Sequence, residues 1–372
     1  MRKTLNRLFL ILLVCICFAC ETDVDITAPE QDIPVAYALL DHDADTQFIR
    51  VNRLLQGNAS FADLAGDRAA SEYESVDISL TRVEAFPSAS GGFTYEDDEF
   101  LGNLMPIEVT NKDESEFHFP NQTVYYTAQP LESDKFYKIT IITPEGTEME
   151  GVTGMIEVPR DNVFERLERQ WRQNGIAFIQ ANEILDQYIF RVSQPVRARA
   201  FELTLIFPYK DIGLNNSGNP FFIAEHEIEI PLGQSSFTRS RARSGDRAEV
   251  AQVAFNPLRF YESIERNVPD IDDSPGVVQR VMDSGRVEIT FISDDIQLYS
   301  EVARPSESIL EDKPSFTNWS TGVGVIGARA GYMFPLGLNR ATLEELKNAQ
   351  ITGITGRKGF CNAREPNDCL AR

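Results

Sequence analysis

Short runs of alternating apolar and polar residues, separated by turn chemistry, dominate the first half of the chain. Pro34 to Leu40 and Gln47 to Leu55 flank the polar stretch Asp41-His42-Asp43-Ala44-Asp45, which predicts a hairpin. Ser75 to Val83 alternates cleanly, with Val76, Ile78 and Leu80 on one face. Val124 to Ala128 and Lys135 to Thr143 follow, and Pro144-Glu145-Gly146 turns the chain into Glu148 to Val158. Several short strands spaced by Gly, Pro, Asn and Asp predict an antiparallel sandwich, so an immunoglobulin-like β-sandwich is expected over residues 34–158.

After Pro159 the period changes. Val163, Leu167 and Trp171 recur every four residues, with Asp161 as candidate cap and Gly175 as the stop, which predicts a short amphipathic helix. Strands are expected again at Ile176–Ala181, Tyr188–Ser193, Phe201–Phe207 and Phe222–Ile230. The Ser- and Arg-rich residues 234–249, with Arg239, Arg241, Arg243 and Arg247, read as an exposed loop. Phe255 to Arg266 reads as helical, Arg286 to Ile292 as a strand and Asp294–Val302 as a helix. Thr342-Leu343-Glu344-Glu345 has the capping-box pattern that opens a last helix. The expected fold is thus mainly β. The sandwich is followed by a second β-rich, fibronectin-like α+β domain at 159–335 and a C-terminal helix with a Cys-containing tail at 336–372.

The first 33 residues have a different pattern. Arg2, Lys3 and Arg7 form a positive head, and an unbroken apolar run from Leu8 to Ala19 ends at Cys20. A bilayer-spanning helix needs about 20 apolar residues, so this run is too short to span. Residues 1–19 therefore read as a signal peptide. The segment resembles a bacterial lipoprotein signal, in which Cys20 becomes the acylated first residue. Residues 20–33 then form an acidic tether. Two or more acyl chains hold a protein stably at a bilayer, and this predicts a membrane partner through a lipid anchor.

Composition sharpens that picture. The 372 residues carry 57 Asp+Glu against 35 Lys+Arg, a formal net charge of −22. Loss of the basic signal head makes it −25. So acidic a chain argues against nucleic acid as a partner, since neutralising phosphates needs clustered Lys and Arg. Two cysteines remain after Cys20, Cys361 and Cys369, closing a short loop. Outside the cytoplasm such a pair reads as a disulfide, the alternative being two free thiols.

Catalytic signatures are scarce. There are three histidines, His42, His118 and His226, and no HExxH, GxSxG or Walker pattern. No catalytic residue and no cofactor is assigned, and the chain is not expected to be an enzyme. Asp41, Asp43 and Asp45 have the spacing that opens a calcium loop. Thr46, however, stands where the turn needs Gly, and Asn52 where a bidentate Glu is needed. The stretch reads as a solvated hairpin tip and no metal is assigned. Asp270, Asp272 and Asp273 read as a solvated turn. Trp171 falls on an apolar helix stripe, whereas Trp319, beside Gly322 and Gly324, is open to either a core or an exposed reading.

Several segments together resemble a group of uncharacterised Bacteroidetes-type surface lipoproteins described only by a domain of unknown function. They are Pro34-Val-Ala-Tyr-Ala-Leu-Leu40, Phe48-Ile-Arg-Val51, Arg199-Ala-Phe-Glu-Leu-Thr-Leu-Ile-Phe-Pro-Tyr209, Tyr299-Ser-Glu-Val302, Phe316-Thr-Asn-Trp-Ser-Thr-Gly-Val-Gly-Val-Ile-Gly327 and the Phe360-Cys361 ending. The resemblance implies a surface-exposed outer-membrane accessory or binding subunit, working with a TonB-dependent transporter in nutrient uptake. It brings no catalytic residues with it. Three functions are carried forward as expectations. The first is a lipid-anchored binding or accessory protein, the second a structural or adhesive envelope protein, and the third a secreted carboxylate-dependent hydrolase.

Overall fold

Period-two burial turns the early apolar runs into strands. In a computed structural model the described residues are 31–372, except 57–58, 89–91, 111–120, 160, 166, 240, 244, 283–284, 304–315, 362–368 and 371–372. The signal-like segment and Cys20 lie outside them. Strands account for 48% and helices for 17%. The expected hairpin is β1 (Pro34–Asp41) and β2 (Gln47–Arg53), with Ala36, Ala38, Leu40, Ile49 and Val51 buried. Two short helices follow, α1 (Phe61–Gly66) and α2 (Arg68–Ser71), capped by Ser60 and Asp67. Then come β3 (Asp77–Pro87), β4 (Phe93–Asn103), β5 (Met105–Val109), β6 (Gln122–Thr127), β7 (Phe136–Ile142) and β8 (Glu148–Gly154).

These eight strands divide between two sheets, in the orders β1-β2-β6-β5 and β4-β3-β7-β8. Ala36, Leu40 and Ile49 belong to the same buried cluster as Ile78, Leu80, Ile139, Ile141 and Met149 of the second sheet. Strand β4 has no counterpart in the apolar pattern, because nearly all of it is exposed. Its acidic side chains are held from neighbouring strands instead. Arg82 on β3 meets Asp98 at 2.7 Å and Glu99 at 2.8 Å, and Lys138 on β7 meets Asp97 at 2.7 Å.

The later strands are β9 (Ile179–Gln180), β10 (Glu183–Ile184), β11 (Tyr188–Ser193), β12 (Ala200–Leu214), β13 (Pro220–Ser236), β14 (Val250–Phe255), β15 (Gln279–Met282), β16 (Gly285–Ile292), β17 (Val323–Leu336) and β18 (Phe360–Cys361). Strands β9 and β10 form one two-stranded sheet, and β11 and β14 another. The rest extend the first sheet to ten strands, β18-β15-β12-β16-β17-β1-β2-β6-β5, with β13 also paired to β12. Strand β1 runs parallel to β17, Val35 opposite Val323 through Asp41 opposite Arg329. Segments on either side of the expected boundary after residue 158 thus share one sheet.

Glycine makes that seam. A side chain at Gly324, where φ is +116°, would place its Cβ 2.0 Å from the Ala36 carbonyl oxygen. Only glycine allows the two backbones to approach so closely. Trp319 is buried here, its indole N–H donating to the Ala36 carbonyl at 3.1 Å, and Gly151 on β8 leaves room for its ring. The core reading of Trp319 is therefore the observed one.

Four further helices are α3 (Leu167–Asn174), α4 (Leu258–Asn267), α5 (Asp294–Ala303) and α6 (Arg340–Asn348). Two expected starts move. Helix α3 begins at Leu167, and Asp161 does not cap it; the Glu168 carboxylate accepts the Asn162 and Phe164 N–H groups. Helix α6 begins at Arg340, with Asn339 accepting the Thr342 N–H at 2.9 Å. The capping box is not used, because the Glu345 carboxylate accepts from Ile351 and Thr352 beyond the helix end. Phe255 ends β14 and is not helical. No helix among the described residues is long and apolar enough to cross a membrane.

Candidate ligand-binding groove

Arg53, the last residue of β2, stands at the centre of a two-lobed groove. On one side residues 31–33 are tied to the segment after β2. Gln31 N donates to Gln56 Oε1 at 3.1 Å, Gln56 Nε2 to Gln31 O at 2.9 Å, and Leu54 N to Ile33 O at 2.9 Å. This brings Asp32 beneath Arg53. Its carboxylate accepts the Tyr73 hydroxyl on one oxygen and the Thr143 hydroxyl on the other, both at 2.6 Å. Burial alone would raise the Asp32 pKa. The hydrogen bonds from Thr143, Tyr73 and Thr147 and the Arg53 charge outweigh it and hold the carboxyl below its ordinary value. Tyr73 is pushed the other way, by burial first and then by Asp32.

The Arg53 guanidinium lies 4.6 Å from the Tyr73 ring centre and forms a close ion pair with Glu145. Across the groove, Arg68 on α2 donates to Glu72 at 2.8 Å, to Glu108 at 3.4 Å and to Thr123 at 3.1 Å. One lobe encloses about 570 Å³ and is lined by Arg53, Arg68, Glu72, Tyr73, Glu74 and Thr123, among others. The other, about 470 Å³, includes Gln31, Asp32, Gln56 and Asp67 and shares Arg53, Ala69 and Glu145 with the first. These volumes are those of small-molecule sites. Two polar atoms of the residues around the larger lobe, Arg53 Nε and Glu72 Oε1, are buried without a hydrogen-bond partner among the described residues, and neither atom is itself exposed. An Asp32 oxygen lies 3.6 Å from Arg53 Nε, beyond hydrogen-bond reach.

The residues singled out by sequence lie elsewhere. Asp41, His42 and Asp43 do come together, one ligand atom of each within 4.8 Å of the others; Asp45 is not in the group. One Asp41 oxygen already accepts the Asp43 N–H at 3.0 Å, and the other faces Arg329 Nε at 2.9 Å. That guanidinium puts positive charge beside the carboxylate a cation would need. Cys361 and Cys369 are joined in a disulfide, with Cα atoms 5.4 Å apart. His226 Nε2 lies 3.0 Å from Asp211 Oδ2, within hydrogen-bond reach, and its ring stacks on Tyr209.

Asp211 belongs to a second charged cluster, around Arg280, whose side chain is 1% exposed. Arg280 Nε donates to Asp211 at 3.0 Å, Nη1 to the Pro269 and Lys358 carbonyls at 2.8 and 2.5 Å, and Nη2 to Ser274 Oγ at 2.6 Å. Lys358, equally enclosed, reaches Asp270 at 2.7 Å and Glu265 at 3.2 Å. Of the arginine-rich loop, Arg241 donates to the Gln194 carbonyl at 2.6 Å and so pins the loop to the body.

Sequence reading missed the groove because its members come from five separated stretches with no shared motif. The only local signal was Pro144-Glu145-Gly146, which read as a turn. No protein-family model and no curated protein matches this chain.

Proposed function

We propose that this chain is a lipid-anchored, surface-exposed binding or accessory protein of an outer membrane, non-enzymatic, with the Arg53 groove as its ligand site and a TonB-dependent transporter as its partner. One observation carries the reading. The groove combines small-molecule volume with charges already paired with one another. That combination suits recognition better than proton transfer or nucleophilic attack. The groove also lies beside Gln31, eleven residues after Cys20. Fully extended, those residues reach at most about 40 Å, so an acylated Cys20 keeps the groove near the bilayer surface. A body of charge −25 is repelled by anionic headgroups, which leaves lipid as the anchor.

The first segment supports an immunoglobulin-like reading in its strand order. The orders β1-β2-β6-β5 and β4-β3-β7-β8 correspond to the A-B-E-D and C-F-G sheets, with β4 added beside strand C. Tyr137 on β7 accepts the Glu132 N–H at 2.7 Å, as the tyrosine corner of such domains bonds back to upstream backbone. The reading is kept for residues 34–158 alone.

The test is metabolic labelling with a palmitate analogue, surface proteolysis of intact cells and mild-detergent purification of the acylated protein. Expected are label lost in Cys20→Ala, cleavage on intact cells and co-purification of an outer-membrane β-barrel transporter. Undiminished label in Cys20→Ala would sink the anchor. A native protein recovered without a transporter would sink the partner.

A further inference from the structure

The β12–β13 hairpin ends in a tip without charge. Residues Ile212 to Ala224 include no Asp, Glu, Lys, Arg or His, in a chain of net charge −22. Charge returns just below the tip, where Lys210 Nζ lies 3.8 Å from Glu225 Oε1. The surface of the tip is apolar. Phe222 is 57% and Phe221 47% exposed, and Leu214 and Ile223 are exposed as well. Val278, also exposed, lies against the base of the tip, its N–H donating to the Ile212 carbonyl at 2.8 Å.

The geometry says what can cover these side chains. Ile212 stands opposite Phe222 and Gly213 opposite Phe221, so the two rings lie on opposite faces of the ribbon. Phe221 and Ile223 close over Gly213, where a Cβ would meet both at 2.9 Å. A flat partner surface would cover one face and leave the other in water, whereas a medium that surrounds the ribbon covers both. The turn suits such a medium. Asn215 N–H donates to the Asn219 carbonyl and Gly218 N–H to the Asn215 carbonyl, both at 2.9 Å. Asn215 Oδ1 accepts the Ser217 and Asn219 N–H groups at 3.0 Å, so the turn carries much of its own hydrogen bonding out of water. We propose that this tip enters the interfacial layer of an electrically neutral lipid bilayer, with Phe221 and Phe222 leading. Entry is shallow. The β12–β15 ladder ends at Ile212, so the outer backbone edge of Gly213 and Leu214 needs the water that still reaches that depth.

Tryptophan fluorescence of the full-length protein with phosphatidylcholine vesicles tests the proposal, because Trp171 and Trp319 are both buried. A Phe222→Trp reporter is expected to shift to the blue and to be quenched by brominated acyl chains. A Phe100→Trp reporter, on the exposed and acidic β4, is expected to do neither. Adding Phe221→Ser to the Phe222→Trp reporter should raise the lipid concentration for half-quenching about tenfold, since it removes apolar area from the contact. Asn216→Asp, which places a charge in the turn, should raise it too and serves if Phe221→Ser disturbs the hairpin. Replacing part of the phosphatidylcholine by phosphatidylglycerol should weaken quenching, because the body is anionic. Quenching is expected in Cys20→Ala as well, at higher lipid concentration, so the tip stands or falls apart from the anchor. No quenching of the Phe222→Trp reporter, or equal quenching of both reporters, would overturn the proposal. So would a blue shift in buffer that grows with protein concentration and shows no quenching, which would make a second copy of the chain the cover. Stronger quenching with phosphatidylglycerol would overturn the neutral surface.

Discussion

Arg280 and Arg53 do opposite things with the same side chain. Arg280 is 1% exposed, and every guanidinium nitrogen is bonded, two of its contacts being backbone carbonyls far apart in sequence. It pins the Pro269 and Lys358 stretches to β12 and β15, with four of its five N–H groups bonded. Arg53 is 31% exposed on its side chain, lines two cavities and has a buried Nε without a hydrogen bond among the described residues. A buried charge whose every nitrogen bonds to its own chain is scaffold. A half-filled one beside open volume is a site.

The widest separation between the two should appear in stability. Arg280→Met removes the buried cation of an enclosed network, leaving Asp211 with His226 alone of the two partners and two carbonyls without that donor, with an expected loss of about 3–5 kcal/mol in urea unfolding. Arg53→Met breaks partly exposed pairs and is expected to cost about 1 kcal/mol or less. Equal losses would erase the distinction. The disulfide belongs to the Arg280 side, since Cys361 lies on β18 beside β15. Replacing both Cys361 and Cys369 by Ser is expected to cost about 2–3 kcal/mol through the entropy of the short loop, while groove binding stays unchanged. A change in groove binding would show that the two regions are coupled.

Smaller effects sharpen the groove side. Glu72→Gln should alter unfolding free energy by no more than about 1 kcal/mol, because its partner Arg68 is 45% exposed and its second oxygen has no bond to lose. Least of all should be the acid response. Asp32 has a folded pKa below its ordinary 3.8. Its contribution is therefore full above the unfolded value and is lost as pH falls through the folded one. Asp270 has the same sign, held low chiefly by the hydrogen bond from Lys358. Melting temperatures from about pH 5 to pH 2 should fall less steeply in Asp32→Asn than in the parent. Parallel curves would remove Asp32 from the acid limb.

The sequence alone determined the local rules. Alternation at Val76, Ile78 and Leu80, the turn at Pro144-Glu145-Gly146, and the helix over Asp294–Val302 all follow from neighbours within a few residues. Strand β4 was illegible because its stabilising partners, Arg82 and Lys138, lie on other strands. Residues Thr321–Gly331 carry glycine at 322, 324, 327 and 331 and have no simple alternation. Their role as the seam joining β17 to β1 depends on a carbonyl at Ala36, almost three hundred residues away. The groove was less legible still. Whether an acidic or basic residue is spent or spare depends on which remote groups fill its hydrogen-bonding capacity, and periodicity carries no information about that. Sequence determined the strands whose own residues alternate, β1 and β3 among them. Tertiary structure decided that Arg280 would be saturated and that Arg53 and Glu72 would not, because hydrogen-bond satisfaction is settled only when distant backbone and side chains meet in a water-poor interior.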